Sequence, residues 1–132
     1  MIFEAFKHNR DNYSSSPAFL ISAGDRAIPI SWREFIDDID AVVYGIKMRC
    51  PGSVIGILGE NSYEWIVAHA AAVFSGAVAL PLDVNLSPSE LSARLTTVGC
   101  KIMVYSALYS EKAEEVRRLT PSLKISGFGS PE

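Results

Sequence analysis

Val73-Phe74-Ser75-Gly76-Ala77-Val78-Ala79-Leu80-Pro81-Leu82-Asp83 is the stretch whose reading decides the fold. Its first residues close an apolar helix. Gly76 supplies a tight turn, and the run after it is a short strand stopped by Pro81-Leu82-Asp83. Upstream, the apolar character extends back to Trp65, so that Trp65 to Leu82 approaches the length of a membrane span. His69, the Ser75-Gly76 pair and Pro81 interrupt it, and its β-branched residues fall after the glycine. The stretch therefore reads as a buried helix followed by a buried strand, with no transmembrane segment.

The same alternation continues on both sides. Val54 to Leu58 is a short apolar strand, Ser62 to Ser75 a helix apolar on nearly all sides, and Ala77 to Leu82 the next strand. Ser87-Pro88-Ser89-Glu90 is a capping box with proline at the first helical position. The helix it opens turns Leu91, Leu95 and Val98 inward and meets Gly99 as its C′ residue. Lys101 to Tyr105 is a strand. Glu111 to Leu119 is a polar surface helix with a Glu114–Arg118 pair at i,i+4, ended by Thr120-Pro121. Leu123 to Ile125 makes a last short strand, and Ser126 to Glu132 reads as a loop cut open. Strands alternating with helices, each strand a continuous apolar run, predict an α/β fold: a mostly parallel sheet with helices on both faces.

The N-terminal part has a different grammar. Met1 to Asn12 is a short helix with Ile2, Phe3 and Phe6 on one side. Ala18-Phe19-Leu20-Ile21 and Ala27-Ile28-Pro29-Ile30 flank Gly24-Asp25 as a β-hairpin, with Pro29 holding its strand near an edge. Ser31 and Glu34 form a second capping box. The helix behind it gathers Phe35, Ile36, Ile39, Val42, Val43 and Ile46 on one face, with Asp37, Asp38 and Asp40 on the other. Its acids lead and Lys47 and Arg49 trail, which suits the helix dipole, and Pro51-Gly52 ends it. Trp32, in the first turn, is placed to staple this helix to the hairpin.

The 132 residues make one domain's length, and they carry a net charge of −3 with a pI near 5.4. Lysines and arginines are scattered, and the aromatics are dispersed, so neither a basic patch nor a stacking platform for nucleic acid is present. Mean hydropathy of +0.19 sits at the apolar end for a domain of this kind, as a buried parallel sheet or a face covered by more protein would produce. Cys50 and Cys100 lie at helix-to-strand joints without metal-ligand spacing and read as reduced, half-buried thiols of a cytoplasmic protein. No signal peptide is visible in Met1 to Arg10.

Ligands of open α/β sheets bind beyond the carboxyl ends of the strands. Those ends are Gly59-Glu60-Asn61-Ser62, Asp83-Val84-Asn85 and Ser106. Asn61 or Ser62 serves as a helix cap in preference to a ligand contact, and Asp83 as a turn former in preference to a metal or ribose ligand. Gly52, Gly56 and Gly59 run through a strand instead of following it, so they make no dinucleotide fingerprint. No phosphate loop of the G-x-x-x-x-G-K-[ST] type occurs. His8 reads as solvated, and His69 as a hydrogen-bonded core residue. No catalytic, cofactor-binding or metal-binding residue emerges.

Ile30-Ser31-Trp32-Arg33-Glu34-Phe35, Gly56 to Trp65, Phe74 to Asp83 and Leu86 to Leu91, in that order and spacing, resemble the N-terminal region of the adenylate-forming superfamily, the AMP-dependent ligases and acyl-CoA synthetases. The resemblance covers roughly Ala18 to Tyr105. It implies a machine that joins a carboxylate to ATP with magnesium, releases pyrophosphate, and passes the acyl group from acyl-AMP to a thiol, often coenzyme A. The matching motifs are mainly scaffold in that family. The Ser/Thr/Gly-rich loop with its lysine, the adenine and ribose motifs, the hinge and the C-terminal lysine have no counterpart in these residues, so the resemblance transfers no catalytic residue.

The expectation is thus a single domain, 1–132, truncated before the phosphate loop: the N-terminal scaffold of an AMP-forming acid–thiol ligase. It would be inactive alone, with the remainder of the ligase chain as partner and a small-molecule carboxylate as the whole protein's substrate. The Asn61-Ser62-Tyr63-Glu64-Trp65 form leans toward fatty-acyl-CoA ligases. The alternatives are a stand-alone, non-catalytic interaction module of the same fold and an unrelated flavodoxin-like α/β protein.

Overall fold

A computed structural model describes residues 2–49 and 52–128. Its elements are α1 (Ile2–Asn12), β1 (Pro17–Ala23), β2 (Arg26–Ser31), α2 (Trp32–Arg49), β3 (Val54–Leu58), α3 (Tyr63–Phe74), β4 (Val78–Leu82), α4 (Pro88–Thr97), β5 (Ile102–Ser106), a 3-10 turn (Ala107–Tyr109), α5 (Ser110–Leu119) and β6 (Lys124–Phe128). β1 and β2 form an antiparallel pair, and β3 to β6 form a parallel sheet in the order β4-β3-β5-β6. The α/β architecture with its N-terminal helix and hairpin is as the sequence predicts.

Strand order explains where the helices sit. The step from β3 to β4 runs one way along the sheet, and the steps β4 to β5 and β5 to β6 run the other. Right-handed crossovers then place α3 on one face and α4 with α5 on the opposite face. The two cores agree. Leu91, Leu95, Ala113 and Val116 from α4 and α5 pack with Leu58, Leu82 and Met103 of the sheet. Val67 and Ala71 from α3 pack with Phe35, Ile36 and Ile39 of α2, and α1 and the hairpin close over them through Phe6, Phe19 and Ile30. β3, paired on both sides and covered on both faces, is buried from Ile55 to Leu58.

Local signals act as their chemistry requires. The Ser31–Glu34 box is closed by hydrogen bonds of 2.8 and 3.1 Å. At Ser87–Glu90, the Ser87 N–H donates to Glu90 Oε2 at 2.8 Å while Ser87 Oγ accepts from the Glu90 N–H. That backbone hydrogen bond, then the one to the Ser87 hydroxyl, holds the Glu90 carboxyl below its usual range. A depressed folded-state value means that the stabilisation is present above the unfolded carboxylate pKa and is lost as pH falls through the folded one. The first turn of α4 is therefore expected to lose amide-exchange protection on acidification, and Glu90→Gln to abolish that pH dependence. Protection unchanged with acid in the wild type would remove the box from the account. Gly76 and Gly99 turn the chain out of α3 and α4 at φ of 84° and 68°, where a side chain would be strained.

Five readings need correction. Val98 is the C-cap of α4 and is exposed, because the helix ends one residue before it. Glu114 pairs with Arg117 at 2.8 Å, at i,i+3, and not with Arg118. Residues 126–128 continue β6, since Ser126, Gly127 and Phe128 pair with Val104, Tyr105 and Ser106, so the strand is Lys124–Phe128 and not a loop. Cys100 is buried and not half-buried; its thiol donates to the Ile102 carbonyl at 3.0 Å, and burial raises its pKa. Trp32 packs its ring on Phe6 of α1 and Phe35 of its own helix, so the staple reaches α1 as well as the hairpin. Met1, Cys50, Pro51 and residues 129–132 lie outside the described residues.

Candidate functional site

The helices after β3 and β5 leave toward opposite faces, so the crevice between the carboxyl ends of these two neighbours is the topological switch point where open α/β sheets take ligands. Gly59 and Glu60 leave β3 there, and Ser106 ends β5 beside them. Ser106 Oγ donates to Glu60 Oε1 at 3.0 Å and accepts the Leu108 N–H at 3.4 Å, capping the 3-10 turn. Glu60 Oε2 is buried and has no hydrogen-bond partner among the described residues. A Cβ added at Gly59 would stand 3.0 Å from Phe128 Cζ and 3.2 Å from Ser106 Cβ, so the missing side chain lets the Phe128 ring close over the crevice.

The other residues singled out from the sequence fall into structural roles. Ser62 caps α3 by accepting the Trp65 N–H at 3.1 Å, while Asn61 is exposed. Asp83 Oδ1 accepts the Asn85 N–H at 2.9 Å, which is the side-chain turn expected of it. His8 is exposed. His69 is half-buried and stacked on Trp65, ring centroids 5.2 Å apart, and no hydrogen bond to it is seen among the described residues. Its place is set by ring packing at i,i+4 and not by the hydrogen bond the sequence suggested.

Two residues escaped the sequence reading. Glu60 belongs to a strand end that pattern alone exposes, but its pairing with Ser106 spans 46 positions and depends on β3 lying beside β5. Lys112 of α5 donates to the carbonyls of Val84 and Leu86 at 2.6 and 2.9 Å, tying the loop before α4 to the next helix. Nothing in a surface helix marks one lysine for that role.

The crevice offers a buried carboxylate and a saturated hydroxyl, with no histidine within reach and no cation paired to the carboxylate among the described residues. It can hold a hydrogen-bond donor; it has no base to activate Ser106. No group of three or more His, Cys, Asp or Glu suited to a metal occurs among the described residues. Removing the hydroxyl with Ser106→Ala leaves both carboxylate oxygens unpaired. It is expected to cost about 1–3 kcal/mol in urea unfolding. An unchanged midpoint would mean that the pair is not formed in solution.

A family profile described as AMP-binding enzyme matches residues 6–128. The chain belongs to the AMP-binding enzyme family. It corresponds to the N-terminal region of these adenylate-forming proteins. The mitochondrial medium-chain acyl-CoA ligase ACSF2 of Macaca fascicularis is 26% identical over 80 residues, 59% of this chain and 13% of the relative. Among solved structures, the anthranilate CoA ligase AuaEII in complex with anthranoyl-AMP superposes with a TM-score of 0.80 at 21% identity, over 96% of this chain and 24% of the ligase. Acetoacetyl-CoA synthetase from Streptomyces lividans gives 0.83 at 16% identity, over 98% of this chain and 22% of its own. At such identities the structural likeness speaks to fold alone. This AMP-binding family chain spans under a third of each of these relatives.

Proposed function

We propose that these residues form the N-terminal scaffold of an AMP-forming acid–thiol ligase, fatty-acyl-CoA synthetase-like, and that they are inactive alone. The observation that carries the reading is the family match from 6 to 128 in a chain that spans only 13% of the macaque ligase and 24% of the anthranilate ligase. In the whole enzyme, a carboxylate would displace pyrophosphate from ATP to give acyl-AMP, and a thiol such as coenzyme A would then displace AMP. Magnesium would accompany the ATP. The residues described do not fit the triphosphate, because the switch-point crevice presents an unpaired carboxylate oxygen and no cation. Nucleotide, magnesium and thiol contacts are therefore assigned to the remainder of the ligase, which is also the partner of this scaffold.

The fatty-acyl leaning rests on Asn61 to Trp65 and on the medium-chain naming of the ACSF2 relatives. No helix among the described residues is long and apolar enough to cross a membrane. The free Cys100 thiol suits a reducing compartment, and the cytoplasm is proposed. The purified 132 residues, given ATP, magnesium and decanoate, are expected to show no ATP–pyrophosphate exchange above buffer; exchange that scales with protein would overturn the scaffold reading. A second reading, a stand-alone interaction module, draws support from an apolar groove along α2.

A further inference from the structure

The face of the sheet that carries α3 is incompletely covered. α2 and α3 stop short of β5 and β6, and a groove of about 600 Å³ runs between α2 and these strands, floored by Ile102 and Val104. It continues past Val42, Val104 and Ser126 toward Asp38, Tyr63 and Glu64. Arg49 and Lys124 stand at one end of it and Asp38 and Glu64 at the other. Among the described residues Arg49 and Lys124 have no ion-pair partner, and Asp38 accepts only the Tyr63 hydroxyl, at 2.6 Å. Next to the groove, Tyr44 and Met48 of α2 are 69% and 68% exposed, which extends the apolar surface outward.

The α2 wall of the groove is palindromic in chemistry. Its residues are Asp38, Ala41, Val42, Gly45, Ile46 and Arg49. Reversed about its midpoint, Asp38 falls opposite Arg49, Ala41 opposite Ile46 and Val42 opposite Gly45. Every pair sets acid against base or small against branched, as closely approaching antiparallel helices require. A surface whose complement is its own reversal is what a two-fold interface needs. We propose that a second copy of this chain seats its α2 antiparallel in this groove, with Arg49 of each copy opposite Asp38 of the other. This goes beyond the scaffold reading and is tested by mass, whereas that reading is tested by exchange, so the two can fail separately.

Sedimentation equilibrium of the 132-residue protein at rising concentration is expected to approach twice 14.4 kDa. Arg49→Glu and Asp38→Arg are each expected to weaken self-association about tenfold or more, and an equal mixture of the two to restore it, since the charges then match again across the pair. Gly45→Arg gives a check that does not disturb Tyr63: a Cβ there meets nothing within 4 Å, so the fold is kept and the groove is filled, and a folded monomer is expected. A wild type that stays at 14.4 kDa overturns the proposal, whatever else the groove binds. So does a Gly45→Arg protein that dimerises like the wild type, or folded charge variants whose mixture gains nothing.

Discussion

Phe35→Ala is expected to leave the protein largely unfolded at 25 °C. Phe35 is 1% exposed and stands at the centre of a ring cluster, with centroids of Phe19, Phe6, Trp32 and Tyr63 at 4.8, 5.4, 5.9 and 6.1 Å. Those rings come from β1, α1, α2 and the start of α3, so one side chain joins four elements. Truncation removes the buried ring and the edge-to-face contacts, and the cavity cannot collapse because its walls belong to separate elements. The cost is about 3–5 kcal/mol, against a total near 5–15 kcal/mol for an ordinary domain. Urea unfolding followed by tryptophan fluorescence reads it through Trp32, which touches the cavity. A midpoint close to wild type would show that the α1–hairpin layer is not docked on α2 in solution.

The second large effect lies in the other core. Leu95 of α4 is fully buried and points at Gly56 of β3, where an added Cβ would lie 3.1 Å from Leu95 Cδ2, 3.4 Å from Leu82 Cδ1 and 3.5 Å from Cys100 Sγ. Leu95→Ala is expected to cost about 2–5 kcal/mol, and Gly56→Val about 1–3 kcal/mol through overpacking. The two should not add. The space left by one receives the volume brought by the other, so the double variant is expected to be more stable than the sum of the single costs allows. Additive losses in denaturant unfolding would mean that β3 and α4 are further apart than 3.1 Å implies.

Most of this fold is legible where neighbours in sequence decide the outcome. β3 spans Val54–Leu58 as its apolar run predicts, and both capping boxes close where Ser and Glu stand three apart. The failures share a cause. Residues 126–128 carry serine and glycine and look like loop, yet β5 offers them a parallel partner. Val98 looks inward by periodicity, yet the helix has already ended. His69 stacks instead of hydrogen-bonding because Trp65 lies one turn before it. The candidate site divides in the same way. Its strand ends, Glu60, Asp83 and Ser106, are visible as residues that follow apolar runs. The bridge from Ser106 to Glu60 is not, since it exists only once the sheet is ordered β4-β3-β5-β6.

That order also sets a timetable for synthesis. The antiparallel pair β1–β2 is complete once Ser31 has been made, and its two strands are joined by a two-residue turn. β3 is finished at Leu58 and then has no partner until β4 begins at Val78; its other neighbour, β5, begins only at Ile102. On the ribosome, the central strand of the molecule therefore spends longest as an apolar segment with both edges bare, behind an N-terminal layer that has already had time to form. Chaperone contact with a growing chain of this kind should concentrate on Val54–Leu58 and fall away as β4 and then β5 emerge.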